Sequence, residues 1–252
     1  MGDRIQNRYY EAYTRDSLAV VHFKNAIFDL LTNIEQTQAL TEFIRQSEQE
    51  KSVRGLAFFN EPGCLGEEVY EKYIKTIIKG GEDIDTIESP VITERTTRFR
   101  QINILGKFMK SLAYYQKLFI TCMEGTIVTP FLGVILVADI RLARPDVTFS
   151  MAHKKYGLHP SGAIPLIFPS YTGAGISMEM QLSDRIGAGT AFRLGLINQI
   201  LPEDNFMENC IRYVQPYLKG CPSTLRLTRR LNSFRFKDLD DYLELESSLL
   251  NL

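Results

Sequence analysis

The sequence has no tryptophan, only three histidines and four cysteines in 252 residues, and almost no net charge (−1). Without a surplus of positive charge there is no field to hold nucleic acid or an anionic membrane nonspecifically. Cys64, Cys122, Cys210 and Cys221 form no C-x-x-C pair, and no His/Cys cluster has zinc-ligand spacing, so no metal site is expected. Reduced thiols in a cytoplasmic protein are the simplest expectation. The longest apolar run, near 131–138, is far too short to span a bilayer. The opening residues, MGDRIQNRYYEAYTRD, are polar and charged and do not read as a signal peptide. Gln6 stands where a myristoylation motif wants Ser or Thr. Internal repeats and low-complexity tracts are also missing.

What is present is ordinary globular material, 44% hydrophobic and 23% charged. A chain of this length buries roughly three-quarters of its unfolded surface, as one large α/β domain or a domain with an appendage. Residues 17–23, 53–59, 118–123 and 139–143 read as strands. The spacing predicts helices over 33–50, 67–79, 99–115 and 130–137, with Gly80 and Gly81 stopping the second. Strand–helix–strand alternation implies parallel pairing through helical crossovers. Residues 82–95 have no clean period and are expected to form a mobile loop beside the site. After Gly173 the chain turns helical (178–182, 189–193, 205–217, 223–232, 239–250), with only 196–201 extended. A core domain over 1–204 and a C-terminal helical region over 205–252 are the expected organisation.

Three stretches carry a resemblance. The first has Gly125 and then Ala138, Asp139, Ile140 and Arg141 after a short apolar helix. The second, 173–202, sets Ile186, Ala188, Ala191, the run Gly195, Leu196, Ile197, Asn198, and Pro202 at fixed spacing. The third is the helical tail, 222–250. In this order they resemble the crotonase superfamily, the enoyl-CoA hydratases and isomerases, over about three-quarters of the chain. The resemblance implies an α/β fold: a spiral of ββα units with a C-terminal helical region that packs as a trimer, giving a homotrimer or hexamer. It also implies an acyl-CoA or acyl-carrier-protein thioester as substrate. No cofactor is expected beyond the coenzyme A or phosphopantetheine of that substrate.

The family's chemistry rests on two backbone N–H groups that clasp the thioester oxygen and stabilise an enolate, each such donor worth on the order of 10²–10³ in rate. By resemblance one donor falls in the Cys64, Leu65, Gly66, Glu67 stretch, at the Glu67 amide; the Glu67 and Glu68 carboxylates equally suit a helix N-terminus. The other falls on Pro130, which has no N–H, so Phe131, or the Thr129 hydroxyl, is left to substitute, or the hole has one donor. The two family glutamates align with Gly133 and His153. A histidine there can act as general acid or base, or merely line the pocket. Tyr156, His159 and Ser161 follow closely, to line the pocket or orient the ring. Glu124 reads as a strand-end cap or a relocated carboxylate. In the basic tail, Phe234 and Lys237 read as coenzyme A contacts or as the solvated face of a helix. Hydration normally needs both carboxylates, so a conventional hydratase is disfavoured. Isomerisation, decarboxylation or dehydration with His153 as proton shuttle is expected, against the alternative of a catalytically inactive binding or assembly subunit.

Overall fold

A computed structural model describes residues 4–24, 27–78 and 93–249. The chain runs β1 (Ile5–Gln6), β2 (Tyr10–Arg15), β3 (Leu18–Phe23), α1 (Ile27–Leu30), α2 (Ile34–Gln49), β4 (Gly55–Asn60), α3 (Glu67–Lys75) and α4 (Arg95–Ala113). It continues through β5 (Leu118–Met123), β6 (Thr126–Val128), α5 (Phe131–Leu136), β7 (Ile140–Ala143), β8 (Thr148–Ser150) and a 3-10 turn, Ala152–Tyr156. Then come α6 (Ile164–Ile167), α7 (Pro169–Thr172), α8 (Ala174–Leu182), β9 (Arg185–Gly187), α9 (Ala188–Arg193) and β10 (Gln199–Ile200). The chain closes with α10 (Phe206–Leu218), α11 (Pro222–Asn232), a second 3-10 turn (Ser233–Phe236) and α12 (Leu239–Ser248). Among the described residues no helix is long and apolar enough to cross a membrane.

The larger sheet has the order β1-β2-β3-β4-β5-β7-β10, antiparallel to β3 and parallel from there on. A smaller sheet, β6-β8-β9, stands beside it. β5 and β7 lie in the first sheet and β6 and β8, which follow them, in the second, so each pair turns one step of a ββα spiral. Strand alternation sends Leu56, Phe58 and Phe119 to the main core, and Ala57, Phe59, Ile120 and Cys122 to the opposite face. There α10 covers them with Phe206, Cys210, Ile211, Val214 and Leu218. Burial on both faces is why β4 and β5 read as near-continuous apolar runs.

Ala138, Asp139 and Arg141 of the first stretch and Gly195, Leu196 and Asn198 of the second form one structural joint. The buried Arg141 side chain donates to the carbonyls of Leu196 (2.8 Å), Ala138 (2.6 Å) and Gly195 (3.3 Å). Asn198 and Arg141 exchange bonds, amide to Oδ1 and amide to carbonyl, both at 2.8 Å. Asp139 accepts the Phe119 amide at 2.9 Å and pairs with Arg229 of α11 at 2.8 Å, tying the tail to the sheet. At the other end, Asn33 Oδ1 caps α2 through the Gln36 amide at 3.0 Å. Asn33→Ala is expected to lower the unfolding free energy by about 1 kcal/mol, read from the urea midpoint.

The main departures from the sequence expectation are local. Residues 10–15 form a strand, β2, in which Tyr10 and Ala12 face the core while its other side chains lie nearer solvent. The helix expected over 67–79 ends at Lys75, and the one expected from 99 starts at Arg95. Only Gln199–Ile200 of the 196–201 stretch is extended. Gly80, Gly81 and the loop expected at 82–95, up to residue 92, lie outside the described residues.

Candidate functional site

Three segments converge at the C-terminal ends of β4, β6 and β8. The Val128 amide donates to the Leu65 carbonyl at 2.9 Å, which sets the turn into α3 beside the turn into α5. The Thr129 amide donates to Ser150 at 3.3 Å, bringing in the start of the first 3-10 turn. Gly66 is the N-cap of α3 and Pro130 that of α5, and neither helix start has a side-chain cap. The first amides inside those helices belong to Glu67 and Phe131, the positions where a helix leaves donors unspent. Thus proline occupies the predicted donor position as a cap, and the next residue carries the N–H.

The Glu67 carboxylate is engaged by three partners. It accepts from Ser150 Oγ (2.7 Å), Lys155 Nζ (2.7 Å) and Arg185 (2.8 Å). Burial alone would raise its pKa, but the bonds from Lys155 and Ser150 and the charges of Lys155 and Arg185 carry it below the ordinary value. Glu124 is held by Arg144 at 2.7 Å. Cys64 is fully buried, its Sγ 3.7 Å from the Phe23 carbonyl and its pKa pushed by burial up to about 12. Leu65 is buried beside it and, with Phe131, lines a cavity of about 20 Å³ that also touches Phe58 and Asn60.

Gly133 lies buried in α5 with backbone where a side chain would go: a Cβ there would sit 1.8 Å from the Gly162 carbonyl oxygen. Gly162, at φ +87°, fits for the same reason, since its own Cβ would meet the Pro130 carbonyl at 2.5 Å. The loop is pinned by Glu246 of α12, a buried carboxylate that accepts the Gly162 and Ala163 amides, each at 2.8 Å.

His153 is buried, with Nδ1 3.0 Å from Thr129 Oγ. Burial, then the nearby charges of His159, Lys154 and Arg98, lower its pKa to about 4. The ring is neutral at physiological pH. Tyr156 is buried edge-on to Tyr70 (5.7 Å), which meets Phe28 (5.3 Å), which in turn meets Phe131 (5.2 Å). Burial raises the Tyr156 pKa, so the phenol keeps its proton. His159 and Ser161 lie on the loop that presses Gly162 against α5, Ser161 buried and His159 half-buried.

Phe234 and Lys237 do not join this cluster on the same chain. Phe234 is 71% exposed and Lys237 Nζ lies 5.7 Å from its ring. Their neighbour Phe236 accepts from Tyr114 at the C-terminal end of α4, roughly 24 Å along the helix from Arg98 at a rise of 1.5 Å per residue.

Sequence reasoning missed Thr129 as the His153 partner, and it missed Arg98, Gln101 and Glu246. The last three carried a signal. Arg98 and Gln101 fall on the buried stripe of α4 with Ile102, Leu105 and Met109, and Glu246 falls on that of α12 with Leu239 and Leu243. A polar group at a core position of the helical period marks a site or a structural lock.

All three histidines, His22, His153 and His159, have pKa values lowered chiefly by burial. For His153 the unfolded chain binds the extra proton from its ordinary 6.5 down to about 4. Stability is therefore full above pH 6.5 and lost as pH falls through that window, by about 1.4 kcal/mol per pH unit for one proton. The buried carboxyls Asp139 and Glu246, raised by burial, oppose this at the acid end. Urea titrations at pH 7 and pH 5 are expected to show the fall, with a shallower slope in His153→Asn.

The spiral of paired strands, the two facing helix starts and the appended helices define a crotonase-type fold. Solved structures agree. An enoyl-CoA hydratase/isomerase from Cupriavidus metallidurans CH34 is similar at TM-score 0.73 and 17% identity, over 98% of this chain and 88% of that one. An enoyl-CoA hydratase from Bacillus halodurans is similar at 0.75 and 17%, over 96% and 93%. ThnE from S. clavuligerus is similar at 0.72 and 15%, over 94% and 98%. The family model for enoyl-CoA hydratase/isomerase matches residues 81–251, and the chain belongs to that family.

Proposed function

We propose that this protein acts on an acyl thioester, presented by coenzyme A or a carrier protein, by stabilising its enolate and moving one proton through His153. The observation that carries this reading is the 3.0 Å bond between Thr129 Oγ and His153 Nδ1. It occupies one ring nitrogen; Nε2 would be the one to meet the substrate, and the uncapped amides of Glu67 and Phe131 would hold the thioester oxygen. Water activation and protonation by a carboxylate pair have no support here, because Gly133 faces the Gly162 backbone and Glu67 is held by Lys155 and Arg185. Isomerisation or decarboxylation, which need an enolate and a single shuttle, fit better than hydration. A trimer or hexamer is part of the same reading; Met178 and Leu182 on α8 and Leu231 on α11 are exposed apolar side chains that such an assembly would cover.

A second reading, a binding or assembly subunit without turnover, draws on the tight Gly133–Gly162 contact and the small cavity beside Leu65 and Phe131. The experiment that separates the two is exchange of the α-protons of acyl-CoA thioesters in D₂O, followed by mass spectrometry. Exchange by the wild type and its loss in His153→Ala support the enolate reading. Binding without exchange supports the second.

A further inference from the structure

The buried stripe of α4 holds a guanidinium whose donors are only partly filled among the described residues. Arg98 is 1% exposed. Its Nη1 donates to Gln101 Oε1 at 2.7 Å, and the Tyr73 hydroxyl donates to the same oxygen at 3.0 Å. That oxygen is thereby filled. Among the described residues, Arg98 Nε and Nη2, Gln101 Nε2 and His159 Nε2 are buried with no hydrogen-bond partner. Three of these four nitrogens can only donate; His159 Nδ1 faces the Pro160 carbonyl at 3.5 Å, so in the neutral ring its Nε2 is an acceptor. The nearby buried carboxylate, Glu246, accepts the Gly162 and Ala163 amides with its two oxygens. Glu246 is close enough for its charge to act on Arg98, but no hydrogen bond joins them; buried donors left unfilled are costly, so this set calls for a further acceptor, and a carboxylate is the one a guanidinium edge holds best.

The geometry of the free atoms narrows the choice. Nε and Nη2 form one edge of the guanidinium, the fork that grips the two oxygens of a carboxylate side by side. Gln101 Nε2 adds an amide donor next to that edge. The cluster is also placed at the candidate site. Tyr73 stacks on Phe28 at 5.5 Å, and Phe28 meets Phe131 at the start of α5 at 5.2 Å.

We propose that Arg98, with Gln101, binds a carboxylate at the far end of the substrate's acyl group, making the substrate a dicarboxylic acyl thioester. This rests on the acyl-thioester reading above and specifies its acyl chain. The carboxylate chemistry could equally come from a free diacid, so the test has three arms: succinyl- and glutaryl-CoA, their neutral counterparts butyryl- and valeryl-CoA, and free glutarate. Binding is measured by calorimetry on the wild type and on Arg98→Met, which keeps the side-chain length without the charge.

The carboxylate-ended thioesters are expected to bind the wild type roughly 10- to 100-fold more tightly than the neutral ones. Arg98→Met is expected to erase that preference while still binding the neutral series. Equal or tighter binding of butyryl- and valeryl-CoA by the wild type overturns the proposal and leaves the acyl-thioester reading standing. Free glutarate binding while neither thioester series does overturns both. The wild-type comparison decides the matter even where Arg98→Met does not fold.

Discussion

Placing a glutamate at position 133, which the resemblance aligns with a family glutamate, is expected to unfold this protein rather than to make it a hydratase. Even Gly133→Ala should lower the unfolding free energy by about 3 kcal/mol, the upper end of ordinary overpacking. The first clash is with main chain: the new Cβ would lie 1.8 Å from the Gly162 oxygen and 2.8 Å from its carbonyl carbon. No rotamer change relieves it. Moving Gly162 away means breaking the paired bonds from the Gly162 and Ala163 amides to Glu246, leaving a buried carboxylate unpartnered. Gly175 in α8 is the control, with nothing within 4 Å of a Cβ placed there; Gly175→Ala should be neutral or slightly stabilising. Urea midpoints at constant m-value measure both. A Gly133→Glu protein that folds and hydrates crotonyl-CoA would mean the 162 loop stands clear of α5 in solution, and the site would have to be redrawn.

That contact also marks where sequence reading stops. The helices Ile34–Gln49 and Phe206–Leu218 could be read within a residue or so because each presents one clean period to one core, and the strand at Leu118–Met123 because burial on both faces makes it a short continuous apolar run. The strand at Tyr10–Arg15 was hidden because only Tyr10 and Ala12 in it are buried, and its remaining side chains look like those of a polar terminus. In the site, the resemblance aligns Gly133 and His153 with the family's two glutamates. What filled the space was not legible, since it is a meeting of two backbones separated by 29 positions, and a glycine in a sequence says only that room is short or φ is unusual. Proline at 130 has no N–H to give. Its position as the cap, with Phe131 first in the helix, depended on where the helix begins, which pattern alone places only loosely. The Arg98 and Glu246 positions were recoverable in principle from the helical period.

His153→Ala should reduce α-proton exchange on bound acyl-CoA by roughly 10²–10⁴-fold, the usual contribution of a positioned acid–base group, while leaving binding within a few-fold. His153→Gln is the sharper variant. It retains a polar partner for Thr129 but cannot take up a proton, so it should be as slow as alanine; a His153 that merely fills space would be rescued by it. Thr129→Val removes the bond to Nδ1 and should fall between wild type and His153→Ala, because the ring then loses its fixed orientation. The pH profile distinguishes this site from a solvent-exposed imidazole. Burial and the charges of His159, Lys154 and Arg98 bring the His153 pKa down to about 4, so the proton-accepting form is present at every pH above that. Exchange should stay level from pH 8 to pH 5, where an imidazole of ordinary pKa would already be mostly protonated. A base so weak in its ground state works through the transition state, taking the proton as the enolate charge forms against the Glu67 and Phe131 amides. Undiminished exchange in His153→Ala, or a rate that halves near pH 6.5 and vanishes below it, would assign the proton to some other group.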